Sequence, residues 1–321
     1  MHIINKYVKY LQVCFAWTKE HKWAQFAINA ILLCIMIFFV ATYLLDDWQE
    51  IKNTNININP NAILLTLGLY GINFIILIIA WNMLVRLFSQ RISLSQNAIF
   101  FSYSHLYKFL PTPAWFLGSR IYLYGKVGLA KRVTLTTTAL ETLFHIFTGV
   151  FLYSLLLIDQ QRPITWLFLL SIPLVILVVW NPFWLIKRWF LNANIPTHPP
   201  RKVLAILFVS YLLTWIISGP FFLSLISIVT DNIPLSMNES LRIWILGSLI
   251  AYVGAYTLGG AGILREFSLT FLLSNFFSPP LALLITIMVR IMMTLGGIFW
   301  SLVVFGLINL NIFRVKFIKL L

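Results

Sequence analysis

Four charged side chains stand where the surrounding sequence is almost wholly apolar: Glu141, Arg265, Glu266 and Arg290. At the centre of a membrane helix each such group costs about 2.5 to 3.5 kcal/mol on insertion scales, so groups of this kind are paired, hydrated or both. Two further cations, Lys108 and Arg120, flank a proline-broken apolar stretch. Arginine suits phosphate, because its planar fork donates two hydrogen bonds at once and keeps its charge when partly desolvated. Lys108, Arg120, Arg265 and Arg290 set against Glu141 and Glu266 leave a net positive cluster, which attracts an anionic group. The plainer alternative is an ion pair that only locks helices together.

The backbone next to these charges has its own chemistry. In Leu258-Gly259-Gly260-Ala261-Gly262-Ile263-Leu264-Arg265-Glu266 the glycines let backbone N–H groups approach a ligand, and a helix starting near Ile263 aims its positive end at an anion. Glycine also serves plain helix packing in membranes. In Lys108-Phe109-Leu110-Pro111-Thr112-Pro113 two prolines remove backbone donors, which at membrane depth is tolerable only where the backbone is buried or lines a cavity. A cytoplasmic loop is the alternative there. Glu141 and His145, four residues apart, share a helix face and suit proton movement, although a core histidine is the simpler reading.

Several chemistries lack their residues. The histidines at 2, 21, 105, 145 and 198 form no His-Glu-x-x-His, and no paired intramembrane aspartates occur. Cys14 and Cys34 are too few, and too apolar in setting, for a metal cluster or disulfide framework. Gly118 to Gly125-Lys126 has the wrong spacing for a phosphate-binding loop and no hydroxyl after the lysine. No catalytic residue, metal or cofactor is expected, and the chain is not expected to be an enzyme.

The elements that hold these groups follow from composition. Of 321 residues 60% are hydrophobic and 10% charged, with mean hydropathy +0.90, far from the balance of a soluble domain. The apolar residues fall in blocks long enough to cross about 30 Å of hydrocarbon as helices. This predicts an all-α polytopic membrane protein. Full spans are expected over 23–45, 62–84, 135–157, 164–186, 203–229 and 281–308, with two interrupted segments, 94–128 and 241–277. Residues 1–22 place Ile3, Ile4, Tyr7, Val8, Leu11 and Phe15 opposite Lys6 and Lys9, the pattern of a cytoplasmic interfacial amphipathic helix or of an ordinary basic tail. No cleavable signal is expected, because the first apolar block is too long and no small-residue site follows it.

The net charge of +14 sits in short loops between apolar blocks, a topology signal and not a nucleic-acid surface. Placing the basic loops inside puts both termini in the cytoplasm of a multi-pass plasma-membrane protein. The arrangement closes only if each interrupted segment is a re-entrant hairpin, entering from opposite faces. Residues 23–321 then form one transmembrane domain of two units, about 23–157 and 164–308, related as an inverted repeat of the kind that builds a site near the midplane. Arg120, Glu141 and Gly149 in the first unit are echoed by Arg265, Arg290 and Gly296-Gly297 in the second. On that symmetry Glu141 and Arg290 are expected to meet across the axis.

At these residues the sequence resembles the transmembrane flippase-like domain of lysylphosphatidylglycerol synthases and their stand-alone relatives. The likeness is carried by the basic residue before Leu110-Pro111, by Arg120, by Glu141 on the next span, by the Gly-Gly-Ala-Gly-x-x-Arg-Glu junction ending at Glu266, and by Arg290 on the last span. It covers roughly residues 20 to 310. It departs from the family where Leu258 replaces the usual proline before Gly259-Gly260 and where Pro113 stands in place of a frequent glycine. The chain stops at Leu321 without the soluble aminoacyl-transferase domain, so it is expected not to make the lipid it handles.

The resemblance implies translocation of a lipid between leaflets, an anionic phospholipid or a polyprenyl-phosphate-linked lipid. The headgroup would bind in a polar cavity between the hairpins at Lys108, Pro111, Arg120, Glu141, Gly259, Gly260, Gly262, Arg265, Glu266 and Arg290. The alternatives are a non-catalytic membrane partner of a lipid synthase or glycosyltransferase, and an intramembrane lipid-modifying transferase.

Overall fold

The computed structural model describes residues 59–88, 92–109, 113–157, 200–257 and 261–309, all within one compact unit, Asn55–Leu321. The expected amphipathic helix at 1–22 and the spans at 23–45 and 164–186 lie outside these residues. Among the described residues every regular element is helical: α1 Pro60–Arg86, α2 Leu94–Leu106, a 3-10 turn Tyr107–Phe109, α3 Pro113–Lys126, α4 Lys131–Leu157, α5 Arg201–Ile226, α6 Met237–Thr257, α7 Ala261–Leu273 and α8 Pro279–Asn309. Four of them, α1, α4, α5 and α8, are long and apolar enough to cross a membrane. They coincide with the expected spans to within a turn.

The two interrupted segments each form a helical hairpin, α2–α3 and α6–α7, whose arms pack on each other. Helices α2, α3 and α7 have 13, 14 and 13 residues. At 1.5 Å per residue they reach only about 20 Å, short of the hydrocarbon thickness. Both hairpins open with the same device. Ser93 Oγ accepts from the Gln96 N–H while Gln96 Oε1 accepts from the Ser93 N–H. Ser236 and Glu239 make the same reciprocal bonds at the start of α6, at 3.3 and 2.8 Å. Two residues past the end of α3 stands Gly128, whose φ of 82° belongs to the left-handed region that favours glycine. There Leu129 N–H bonds back to Tyr124 and Gly128 N–H to Gly125, a closing pattern that turns the chain directly into α4.

The packing repeats itself. The contacts α1–α2, α3–α4, α2–α8, α1–α8 and α1–α4 have counterparts in α5–α6, α7–α8, α6–α4, α5–α4 and α5–α8, while α1 and α5 pack on each other. Helices α1 and α5 run antiparallel: Thr66 near the start of α1 bonds Ser224 near the end of α5, at 2.9 Å, and Asn73 donates to the Thr214 carbonyl at mid-helix. Helices α4 and α5 run parallel, with Phe144 on Tyr211 and, farther along both, Gly149 against Trp215. Hydroxyls within the spans bond the carbonyl four residues back, as Thr138 does to Thr134 and Thr148 to Phe144, so they need no partner in lipid.

A tryptophan-on-glycine joint occurs in both halves, but not at the echoed pair: Gly149 takes part, whereas Gly296 lies against Tyr70 and the second joint uses Gly71. Trp215 on α5 lies across Gly149 of α4 and donates its Nε1–H to the His145 carbonyl at 3.0 Å. Trp300 on α8 lies across Gly71 of α1 and donates to the Leu67 carbonyl at 2.8 Å. A Cβ at Gly71 would stand 2.1 Å from the Trp300 ring, and one at Gly149 2.9 Å from Trp215. Gly71→Ala should therefore destabilise the detergent-solubilised protein by about 1–3 kcal/mol, read as a lower thermal unfolding midpoint. Adding Trp300→Leu should recover part of the loss. An unchanged midpoint in Gly71→Ala would contradict this packing.

Candidate functional site

Arg120, in the middle of α3, is fully buried. Its guanidinium lies 3.7 Å from the Trp81 ring centroid and 4.2 Å from that of Phe116. Nε donates to Ser104 Oγ and one terminal nitrogen to Thr138 Oγ1, each at 3.4 Å. The two terminal nitrogens grip the Glu141 carboxylate in a fork, one on Oε2 and the other 3.3 Å from Oε1. Charge, hydrogen bonds and aromatic faces are thus all engaged within the protein. Beside it a buried chain of donors, Trp81 to Tyr124 to Asn97 to Asn82, ties α1, α2 and α3 together. Arg120 and Glu141 clamp the first hairpin to α4.

The second half repeats the clamp with the charges exchanged. Glu266 on α7 pairs with Arg290 on α8 at 3.0 Å, where Arg120 on α3 pairs with Glu141 on α4. The expected Glu141–Arg290 pair across the axis does not form. Each span instead takes its counter-charge from the hairpin arm just before it in sequence, 21 residues away for Glu141 and 24 for Arg290. A tight turn already delivers that arm to the span, so local pairing satisfies both charges. The two clamps differ in access: the Arg120 and Glu141 side chains are 1% and 9% exposed, those of Glu266 and Arg290 16% and 44%.

With these pairs neutralised, two of the four candidate cations remain, one from each hairpin. Arg265 touches Glu266 only loosely, at 3.6 Å, and its buried Nε has no hydrogen-bond partner among the described residues. It stands 5.9 Å from the Trp244 ring centroid. Lys108 in the 3-10 turn keeps accessible surface, with its ammonium 4.8 Å over the Phe116 ring. Among the described residues neither has an acid committed to it alone.

The two cations share a polar circuit, whose tyrosines and histidines meet by ring contacts and one hydrogen bond and whose links to the cations themselves run through space. Lys108 is in electrostatic reach of Glu141 and His145, and the His145 ring lies 4.8 Å from Tyr211 and 5.7 Å from Tyr252. Arg265 is in electrostatic reach of Tyr252 and Tyr70. Tyr70 bonds His105 at 2.9 Å, and His105 neighbours Lys108 again. The Tyr211 hydroxyl is buried without a partner. Such a circuit, with two net positive charges and phenol and imidazole groups between them, suits an anionic group with further hydrogen-bonding oxygens.

Of the residues expected at the site, Lys108, Glu141 and Arg265 face this circuit. Arg120 stands behind Glu141, while Glu266 and Arg290 stand behind Arg265. Gly262 lies in the first turn of α7, whose start at Ala261 precedes the expected one by two residues. Pro111, Gly259 and Gly260 lie outside the described residues. Tyr70, Tyr211 and Tyr252 escaped the sequence reading. Their signal was a phenol in mid-span, away from the interfaces where membrane tyrosines concentrate.

No protein-family model matches the chain, and no curated protein matches it.

Removing one partner of a sealed pair strands a buried charge, at a cost of about 3–5 kcal/mol. Glu141→Gln should therefore sharply reduce folded protein or its unfolding midpoint in detergent. An unchanged midpoint in Glu141→Gln would contradict the assignment of Arg120–Glu141 as the structural clamp.

Proposed function

We propose that the chain is a plasma-membrane lipid transporter that carries an anionic headgroup, phospholipid or polyprenyl phosphate, between leaflets while the tails stay in the bilayer. The observation that carries this reading is the Arg265 guanidinium, mostly buried, with an Nε from which no protein group among the described residues accepts. An unpartnered donor of this kind is costly unless a ligand accepts from it. Lys108 adds a second charge from the other hairpin. The tyrosine hydroxyls and His145 supply further hydrogen bonds suited to glycerol or sugar oxygens.

The architecture of the proposal is six crossings and two re-entrant hairpins in an inverted repeat, with both termini cytoplasmic. The matched packing of the two halves supports the repeat, and the antiparallel pairing of the equivalent helices α1 and α5 supports its inversion. The parallel run of α4 and α5 agrees with the crossing expected between them in sequence. The resemblance to the flippase-like domain of lysylphosphatidylglycerol synthases agrees with this reading. Movement would run downhill or be coupled to protons or membrane potential.

The test is leaflet exchange in liposomes containing fluorescent phosphatidylglycerol or a polyprenyl phosphate. Arg265→Ala and Lys108→Ala should each slow exchange by about tenfold or more, the loss of a charge-assisted hydrogen bond or ion contact, while the protein remains folded by size exclusion. Exchange at the wild-type rate in both variants would overturn the proposal.

A further inference from the structure

Arg290 lies in an unexpected place for a charge. It is the twelfth residue of a 31-residue apolar helix, about 17 Å from its start, so it lies at hydrocarbon depth. Its side chain is nevertheless 44% exposed. The surface around it is apolar and open: Phe267 is 67% exposed, Phe271 69% and Leu295 53%. A guanidinium facing bare lipid here is penalised, and the equivalent charge in the other half, Glu141, is sealed by Arg120.

The exposed arginine is also the outer end of a ladder. One oxygen of Glu266, Oε1, is 3.0 Å from Arg290 and 3.6 Å from Arg265. Arg265 in turn reaches Tyr70 and Tyr252 in the interior circuit. Two guanidiniums thus flank a single carboxylate, one turned to the lipid-facing surface and one turned inward. An entering phosphate oxygen can take the place of Glu266 Oε1 on Arg290 and then on Arg265, without either cation losing an anionic partner.

We propose that the face formed by α7 and α8 is a lateral portal, where a lipid phosphate first binds Arg290 and is handed to Arg265. This rests on the transport reading above and names the route into that site. The occupant is an anionic lipid and not free phosphate, because the entrance opens at hydrocarbon depth among Phe267, Phe271 and Leu295. The first clamp, closed on both sides, offers no such entrance, so the portal belongs to the second half alone.

The experiment places a photoreactive benzoylphenylalanine at Phe267, or at Val209 on the exposed face of α5 as a comparison site, in the full chain reconstituted with radiolabelled phosphatidylglycerol or phosphatidylcholine. At Phe267, crosslinking should favour phosphatidylglycerol by about tenfold, the value of one charge-assisted contact. Arg290→Gln should abolish that preference and Arg290→Lys should retain part of it; Val209 should show none. Equal labelling by both lipids at Phe267, or a preference untouched by Arg290→Gln, would overturn the portal. Leaflet exchange measured on the same vesicles separates the two claims: exchange without selective labelling leaves transport standing and removes the portal, and selective labelling without exchange supports the portal as a binding site and removes transport.

Discussion

A guanidinium in a low-dielectric interior has to be neutralised, and the Arg120–Glu141 fork is where this fold meets that demand most completely. Four hydrogen bonds from one planar group reach a carboxylate and two hydroxyls, and the faces of Trp81 and Phe116 lie against it. The partners come from α1, α2, α3 and α4, so satisfying the charge and assembling the first half are the same event. Desolvation makes such a pair a weak source of net stability, but breaking it is expensive, which gives it specificity for one arrangement. The turn at Gly128 delivers α3 back along α4 at the register this requires.

The same joint appears in the second half with acid and base exchanged between arm and span, and there it stays partly open. From this difference follows the character of the interior. One clamp is sealed in the interior; the other leaves Arg265 beside a carboxylate already held by Arg290. The cations turned to the polar circuit are therefore Lys108 and Arg265, supplied by opposite hairpins, while the tryptophan-on-glycine joints at Gly71 and Gly149 hold the spans around them.

Much of the helical layout was legible because hydrocarbon depth is written directly as apolar length: α1, α4, α5 and α8 fall where the apolar blocks are, and the hairpin arms fall within the two interrupted segments. The candidate charges were legible for the same reason, since each interrupts an apolar run. Their partners were not. Symmetry between the halves suggested Glu141 with Arg290, but a hairpin arm returning along the next span supplies a nearer counter-charge, and sequence alone does not show how far back along that span the arm reaches. The circuit tyrosines were hidden because a phenol raises hydropathy little and reads as core. The capping boxes at Ser93-x-x-Gln96 and Ser236-x-x-Glu239 are a sequence pattern that marks the start of each hairpin.

The central claim is a division of labour, with Arg120 held by Glu141 and with Lys108 and Arg265 left to meet an anion. Cryo-electron microscopy of the protein in nanodiscs containing phosphatidylglycerol tests this most directly. The expected result is headgroup density in contact with Lys108 and Arg265, with the Arg120–Glu141 fork intact behind it. Headgroup density on Arg120 with Glu141 displaced, or an interior empty of lipid at Arg265 while anionic lipid saturates the disc, would contradict it.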